Sequence, residues 1–345
     1  MKLLHSRGFA NCGCRVRHVV LLLSSLLFGA LAVWISPDRL SAIGIMDFSL
    51  ASKIDLVRET ALLEIRIAKY GAAAMALFLF ALWLAMPGLV RTEWYKGIAR
   101  EQKFTEAYRA HQARIFTGTA AVAALAILVA ALYLIYGGDI FTIQTLRQLN
   151  REDGILETGS AALLLGASGL ALWVALRADQ SAVKAMHFFL AFLFFAMCGE
   201  EISWGQRLLN FETPEALREV NVQQEINLHN MFGYLFDHLF ILCFFIWGCV
   251  VPYLYWRSAI WRWFQSSIGL PMSSIGLAIA MLVVTLTQDQ LTEGILGWSV
   301  PGLRVPEVRE FLSTLCFVLM MLESRYLVLS PETSERRLDR GVPAE

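Results

Sequence analysis

The sequence predicts an all-α fold: a polytopic transmembrane helical bundle of about eight spans with short interfacial helices. Three observations lead there. Hydrophobic residues make up 57% of the 345 and charged residues only 17%, whereas a soluble domain carries about 25% charged residues. The apolar residues gather in runs of about 15 to 25, long enough to cross a roughly 30 Å hydrocarbon core as helices. Lys and Arg near the run ends concentrate on alternate loops, the pattern expected of cytoplasmic loops. Formal net charge is zero, so no bulk charge attracts nucleic acid. The expected partners are membrane lipid and a membrane or periplasmic protein, with no nucleic acid among them.

Lys2, Arg7, Arg15 and Arg17 precede the first apolar run, 19–35. Small residues at its end (Gly29, Ala30, Ala32) allow a signal-peptide reading, but the long basic lead and near-full span length favour an uncleaved helix. Residues 37–70 form an outer segment. There Leu56, Leu62, Leu63, Ile65 and Ile67 recur among charges at helical spacing, which predicts an amphipathic helix lying on the surface. The second span is 71–90. Arg91, Lys96, Arg100, Lys103 and Arg109, with Trp94 and Tyr95 at the boundary, mark a basic inner loop with an aromatic belt. The third span is 115–136, the fourth 158–176 and the fifth 185–204, the last two joined by an inner turn from Arg177 to Lys184.

An outer segment follows. Thr213-Pro214-Glu215 supplies an N-cap, a proline for the first helical position and an acid for the first turn, so a short interfacial helix is expected over 214–220. The sixth span is 231–255, closed inside by Trp256, Arg257, Trp261, Arg262 and Trp263. The seventh, 268–287, overlaps a repeat of Ser-Ser-Ile-Gly-Leu at 266–270 and 273–277, small residues that suit close helix packing. The eighth is 311–329. Residues 1–330 read as one transmembrane domain and 331–345 as a disordered cytoplasmic tail. Loop charge places both termini in the cytoplasm, although Arg39, Lys53, Arg58, Arg66 and Lys69 make the first outer segment an exception; a bacterial inner membrane is the expected location. The six cysteines are scattered through apolar runs and the N-terminal tail. They read as small packing residues, not as a disulfide framework.

This topology collects ionisable groups on the outer side. Glu152, Asp153 and Glu157 begin span four. Glu200, Glu201, Ser203, Gln206 and Arg207 end span five. Glu225, Asn227, His229 and Asn230 begin span six, and Gln288, Asp289 and Glu293 end span seven. An outward polar cavity between spans four and seven accounts for them together. Asp153 and Glu157 share a helix face, as do Asn230, Tyr234 and Asp237, and as would Glu200, Ser203 and Arg207 if that helix continues. Asp237 lies about 10 Å along its helix from Asn230, a depth at which a carboxylate must be paired or protonated. His187, near the opposite end of span five, stands apart.

Carboxylates beside an imidazole suit two chemistries. They share a proton, one acting as acid and one as base, or they hold a divalent metal that activates water, with Glu201, His229 and His238 as the candidate ligands. The metal signatures H-E-x-x-H, H-x-x-x-H and paired C-x-x-C are missing from the chain. The candidate catalytic residues are therefore Glu200, Glu201, His229 and Asp237. The candidate substrate-binding residues are Arg207, Gln206, Asn227, Asn230, Glu157 and Asp289.

The run Gly199-Glu200-Glu201-Ile202-Ser203-Trp204-Gly205-Gln206-Arg207, with Glu212-Thr213-Pro214-Glu215 and Asn227-Leu228-His229-Asn230, resembles a signature of bacterial multi-pass membrane proteins to which no established activity attaches. That resemblance covers about residues 150–240 and implies no function. A weaker one, to CAAX-protease-like glutamate intramembrane proteases, rests on Glu200-Glu201. Arg207 stands two positions late for it, and Glu225 takes the place of phenylalanine before His229. The ceramidase and adiponectin-receptor superfamily is similar in lining its spans with Glu, Ser, Asp and His, but its H-x-x-x-H motif is missing here.

Two functions remain open. One is a hydrolase or transferase acting on a lipid or lipid-linked substrate at the outer leaflet. The other is a non-enzymatic transporter, or a membrane subunit that docks a partner through the outer 199–230 segment.

Overall fold

The computed structural model describes residues 5–42, 50–53, 55–100, 117–151, 154–209, 211–215, 226, 235–289, 291–292 and 300–329. The helices form two compact units, Met1–Arg100 with Phe232–Leu235, and Glu101–Met231 with Phe236–Glu345. The fold is all-α. Among the described residues, six helices are long and apolar enough to cross a membrane, and Val19–Trp34 and Ile275–Leu286 are shorter apolar helices.

In the first unit α1 (His5–Trp34) packs along α3 (Asp55–Leu89), with α2 (Pro37–Ala42) between them in sequence and α4 (Glu93–Arg100) after them. The Ser25 hydroxyl donates to the Ala76 carbonyl at 2.8 Å, and Arg39 caps the end of α1 through the carbonyls of Val33 and Trp34. The separate surface helix expected before the second span is not separate. α3 runs 35 residues without a break, because nothing between Tyr70 and Gly71 interrupts the backbone ladder. At 1.5 Å per residue α3 is about 52 Å long, more than a roughly 30 Å core needs. Its charged first half, where Val57, Ala61 and Ile65 form a buried stripe, extends beyond such a core.

The second unit contains α5 (Thr117–Ile140), α6 (Ile143–Leu149), α7 (Ile155–Arg177), α8 (Ser181–Glu201), α9 (Gln206–Leu209), α10 (Leu235–Phe245), α11 (Val251–Arg257), α12 (Ala259–Ile268), α13 (Ile275–Leu286) and α14 (Val305–Leu329). α7 packs against both α8 and α14. It does so through small residues: Ser160, Ala161, Ala167, Ser168 and Ala171 are all buried, and small residues let helix backbones approach. The Ser168 hydroxyl donates to the Ala191 carbonyl of α8 at 2.7 Å. Gly159 faces the Phe311 ring so closely that a Cβ there would lie 2.8 Å from it. The starts of α7 and α14 therefore lie side by side.

The seventh expected span is broken. α12 ends on Gly269 in the left-handed conformation, φ 69°. Residues 270–274 are non-helical and largely buried, and α13 restarts at Ile275 with Ser274 as N-cap. The two copies of Ser-Ser-Ile-Gly-Leu thus close one helix and open the next. The break is held by its neighbours. Residues 246–250 between α10 and α11 form a π-turn, which frees backbone carbonyls. There the Ser273 hydroxyl donates to the Gly248 carbonyl at 3.0 Å, and the Trp247 indole N–H donates to the Pro271 carbonyl at 3.1 Å.

α8 and α14 run antiparallel and meet through side chains at two levels seven residues apart. His187 Nε2 and the Ser324 hydroxyl are 2.7 Å apart, and the Phe194 and Phe317 ring centroids 5.0 Å apart. Seven residues further along α8, Glu201 is within electrostatic reach of Glu310. Phe194 and Phe317 are joined by Phe240, Phe244 and Trp247 into one aromatic layer.

Two glycines test this packing. A Cβ on Gly276 would lie 2.5 Å from the Ala120 Cβ, and one on Gly269 would meet the Ala182–Val183 backbone at about the same distance. Gly276→Ala should lower unfolding stability in detergent by ~1–3 kcal/mol through overpacking. Gly269→Ala should cost more, because it adds strain at positive φ.

Candidate functional site

The candidate site forms where α8 ends, α14 begins and α13 finishes. α14 starts earlier than hydropathy alone indicates. Pro306 and Glu307 open the helix, and Arg304 pairs with Glu307 at 3.1 Å. Arg309 and Glu310, which the sequence assigns to the preceding loop, are therefore helical. Arg309 points inward and is only 3% exposed.

A buried guanidinium needs anionic or hydrogen-bonding partners, and Arg309 has them. Its Nη2 donates to Asp237 Oδ1 at 2.7 Å and its Nη1 to Gln288 Oε1 at 2.9 Å. The Glu310 carboxylate is 3.8 Å from Nη2. Among the described residues the buried Arg309 Nε has no hydrogen-bond partner. Glu310 is also within electrostatic reach of Glu201, Asp237 and Glu307, so Asp237 and Glu310 flank the guanidinium and further carboxylates lie near Glu310.

The Glu200–Gln206 run turns sharply here. The helix expected to continue through Trp204 ends at Glu201. Ser203, Trp204 and Gly205 follow with φ of 46°, 53° and 76°, a left-handed turn that non-glycine residues rarely adopt. Glu200, Ser203 and Arg207 therefore do not share a helix face. The turn is held from both sides. The Trp204 ring folds over Gly199, where a Cβ would lie 2.9 Å from it, and its indole N–H donates to Glu200 Oε1 at 2.7 Å. The Gln206 amide donates to the Thr213 hydroxyl at 2.7 Å and accepts the Ile226 N–H at 2.8 Å. Gln206 thus ties Thr213 and Ile226, two points of the connecting segment, to the turn.

Among the sequence candidates, Asp237, Glu201 and Gln288 share the neighbourhood of Arg309 and Glu310. Glu157 lies in the first turn of α7, beside the start of α14, and Asp289 follows the end of α13. Both therefore sit at the same end of the unit. Glu200 contacts Trp204, and His238 follows Asp237 in α10. Asn227, His229, Asn230 and the Arg207 side chain lie outside the described residues, as do Asp153, Glu225, Glu293 and most of the helix expected over 214–220. Of the metal candidates Glu201, His229 and His238, then, only the first and last are described. Among the described residues no three His, Cys, Asp or Glu side chains gather as a metal site would require.

Sequence reasoning missed two features. Arg309 was missed because the loop was ended at the first uninterrupted apolar residue; Pro306-Glu307 is the helix-start signal that locates it. Glu323 was missed although it is the one acid in the run 315–329, with Arg325 two residues on, the kind of intramembrane acid that is a functional candidate by default. It is 1% exposed and accepts hydrogen bonds from Ser274 and Thr119. With His187 and Ser324 it makes a second polar level on α14, about 21 Å from Arg309 at 1.5 Å per residue.

No family model, curated protein or solved structure matches the chain.

Replacing Arg309 should separate its partners by weight. Arg309→Ala leaves Asp237 without its cation and should lower unfolding stability by ~3–5 kcal/mol. Gln288→Ala removes one hydrogen bond and should cost only ~1–2 kcal/mol. Chemical denaturation in detergent micelles measures both, and equal losses would show that Arg309 is not the organising charge.

Proposed function

We propose that this integral membrane protein acts at its outer face, through its acidic end, as a hydrolase or transferase on a lipid or lipid-linked substrate. The observation that carries the reading is the buried guanidinium flanked by Asp237 and Glu310, with Glu201 within electrostatic reach of Glu310. Two carboxylates near each other cannot both ionise cheaply. Glu201 and Glu310 would share a proton, one serving as general acid and the other as base. Asp237 and Gln288 would fix Arg309, leaving its Nε–H to bind an anionic group of the substrate or a water that the substrate displaces. His229 would supply a further acid/base group or, in the metal version, a ligand beside Glu201 and His238. The aromatic layer of Phe194, Phe317, Phe240, Phe244 and Trp247 supports a site closed on its inner side, as an enzyme needs. A bacterial inner membrane with cytoplasmic termini fits the loop charges.

The transporter reading draws on a different observation. Polar groups recur beyond the aromatic layer, at Glu323, Ser324 and His187, where a passage to the inner face would need them. Docking of a partner through the 199–230 segment would use the Gln206-tied turn.

Glu201→Gln and Glu310→Gln should each reduce function by ~10²–10⁴-fold while the protein still folds and inserts, measured by complementation of a deletion strain. Full complementation by both would end the acid–base reading. Metal content of the purified protein separates the two chemistries: stoichiometric metal lost on Glu201→Gln supports the metal version, and none supports the shared proton.

A further inference from the structure

Glu323 lies in the last third of α14, a helix that is long and apolar enough to span a membrane, and it is almost fully buried. Its Oε2 accepts the Ser274 backbone N–H at 2.7 Å. Its Oε1 accepts the Ser274 hydroxyl at 2.7 Å and the Thr119 hydroxyl at 2.5 Å. Three helices converge on this one carboxyl group: α14 that carries it, the start of α13, and the first turn of α5. Among the described residues its partners are hydroxyls and a backbone N–H, not a cation.

Other charged and titratable groups lie on the surrounding helices. On α8, His187 bonds Ser324 and the Val183 carbonyl, and Lys184 stands one turn nearer the helix start. On α14, Arg325 lies 4.1 Å from the Trp173 ring centroid of α7, and Arg177 of α7 lies against the same ring at 4.4 Å; Tyr326 is exposed. On α12, Arg262 donates to the Tyr255 carbonyl. α13 and α5 offer Glu323 their hydroxyls.

We propose that Glu323, Ser274 and Thr119 form an intramembrane proton-binding site, distinct from the acidic end, that takes up and releases one proton. The oxygens lie at hydrogen-bonded separations, too close together to admit a metal cation between them, so a proton is the occupant that fits. On loading, a hydronium ion gives its proton to a carboxylate oxygen, one O–H bond forms, and a water molecule leaves. The new O–H donates to Thr119 or Ser274, whose hydroxyl rotates to accept it; release reverses each step. The geometry also gives the proton a lever. The ionised carboxylate sits at the positive end of the α13 dipole, and loading removes that attraction. The other end of α13 carries Gln288 against Arg309, at a sequence separation equal to that between Arg309 and Glu323. The site rests on neither reading of the acidic end.

Infrared difference spectroscopy of the full chain in lipid vesicles tests this. Acidification should raise a protonated-carboxyl C=O band that is missing in Glu323→Gln and kept in Asp237→Asn and Glu201→Gln. Ser274→Ala and Thr119→Val, which retain the carboxyl but remove its donors, should displace the pH at which the band appears; they decide the matter if Glu323→Gln does not fold. Identical spectra for wild type and Glu323→Gln, or an unmoved band in both hydroxyl variants, would overturn the proposal. So would suppression of the band by Na⁺ at constant pH, which would assign the site to a sodium ion.

Discussion

A guanidinium buried in a helical bundle constrains everything near it. Arg309 is held out of water by α14, and desolvating such a charge costs several kcal/mol unless neighbours replace the lost hydration. Asp237 from α10 and Gln288 at the end of α13 do so. That requirement brings three helices, far apart in sequence, to one point. It also explains why acids cluster there: the cation that stabilises Asp237 makes the same place tolerable for Glu310. Burial strengthens each interaction, and it equally raises the penalty for leaving any member unpartnered.

The second unit is layered along α14. Polar groups occupy two levels, around Arg309 and around Glu323, and an aromatic layer built on Phe194 and Phe317 separates them. Along α8 and α14 the His187–Ser324 and Phe194–Phe317 contacts lie seven residues apart, so the same pair of helix faces meets at both. α13 is pinned to α14 at both ends, by Ser274 to Glu323 and by Gln288 to Arg309. A helix cut to 12 residues by a buried non-helical segment is weakly held by its own backbone. The two side-chain clamps, and the π-turn that receives Ser273, supply what an unbroken span would have had in its ladder.

Much of this was legible in the sequence. Apolar run length and composition reveal an all-α membrane protein, because the bilayer leaves helices few alternatives. That Glu157, Glu201, Asp237 and Asp289 fall at one end of the second unit follows from alternating helix directions. What hydropathy hides is where a helix begins within a polar stretch, and so Arg309 looked like a loop residue. It also hides a break inside an apolar run. Residues 268–287 look continuous, yet two serines and Pro271 offer the backbone other partners, and the tertiary contacts take them up. The separate surface helix before the second span failed for the converse reason: charges along a helix do not end it. The left-handed turn at Ser203–Gly205 depends on Trp204 stacking over Gly199, a contact that no local propensity encodes.

A double-mutant cycle on Asp237 and Arg309 tests the central claim most directly, with unfolding free energies measured for Asp237→Ala, Arg309→Ala and the double variant. A mutually dependent buried pair predicts that the double variant loses markedly less than the two single losses combined, with a coupling energy above ~1 kcal/mol. Losses that add to within ~0.5 kcal/mol would mean the two charges are held independently, and that Arg309 does not organise this end of the bundle.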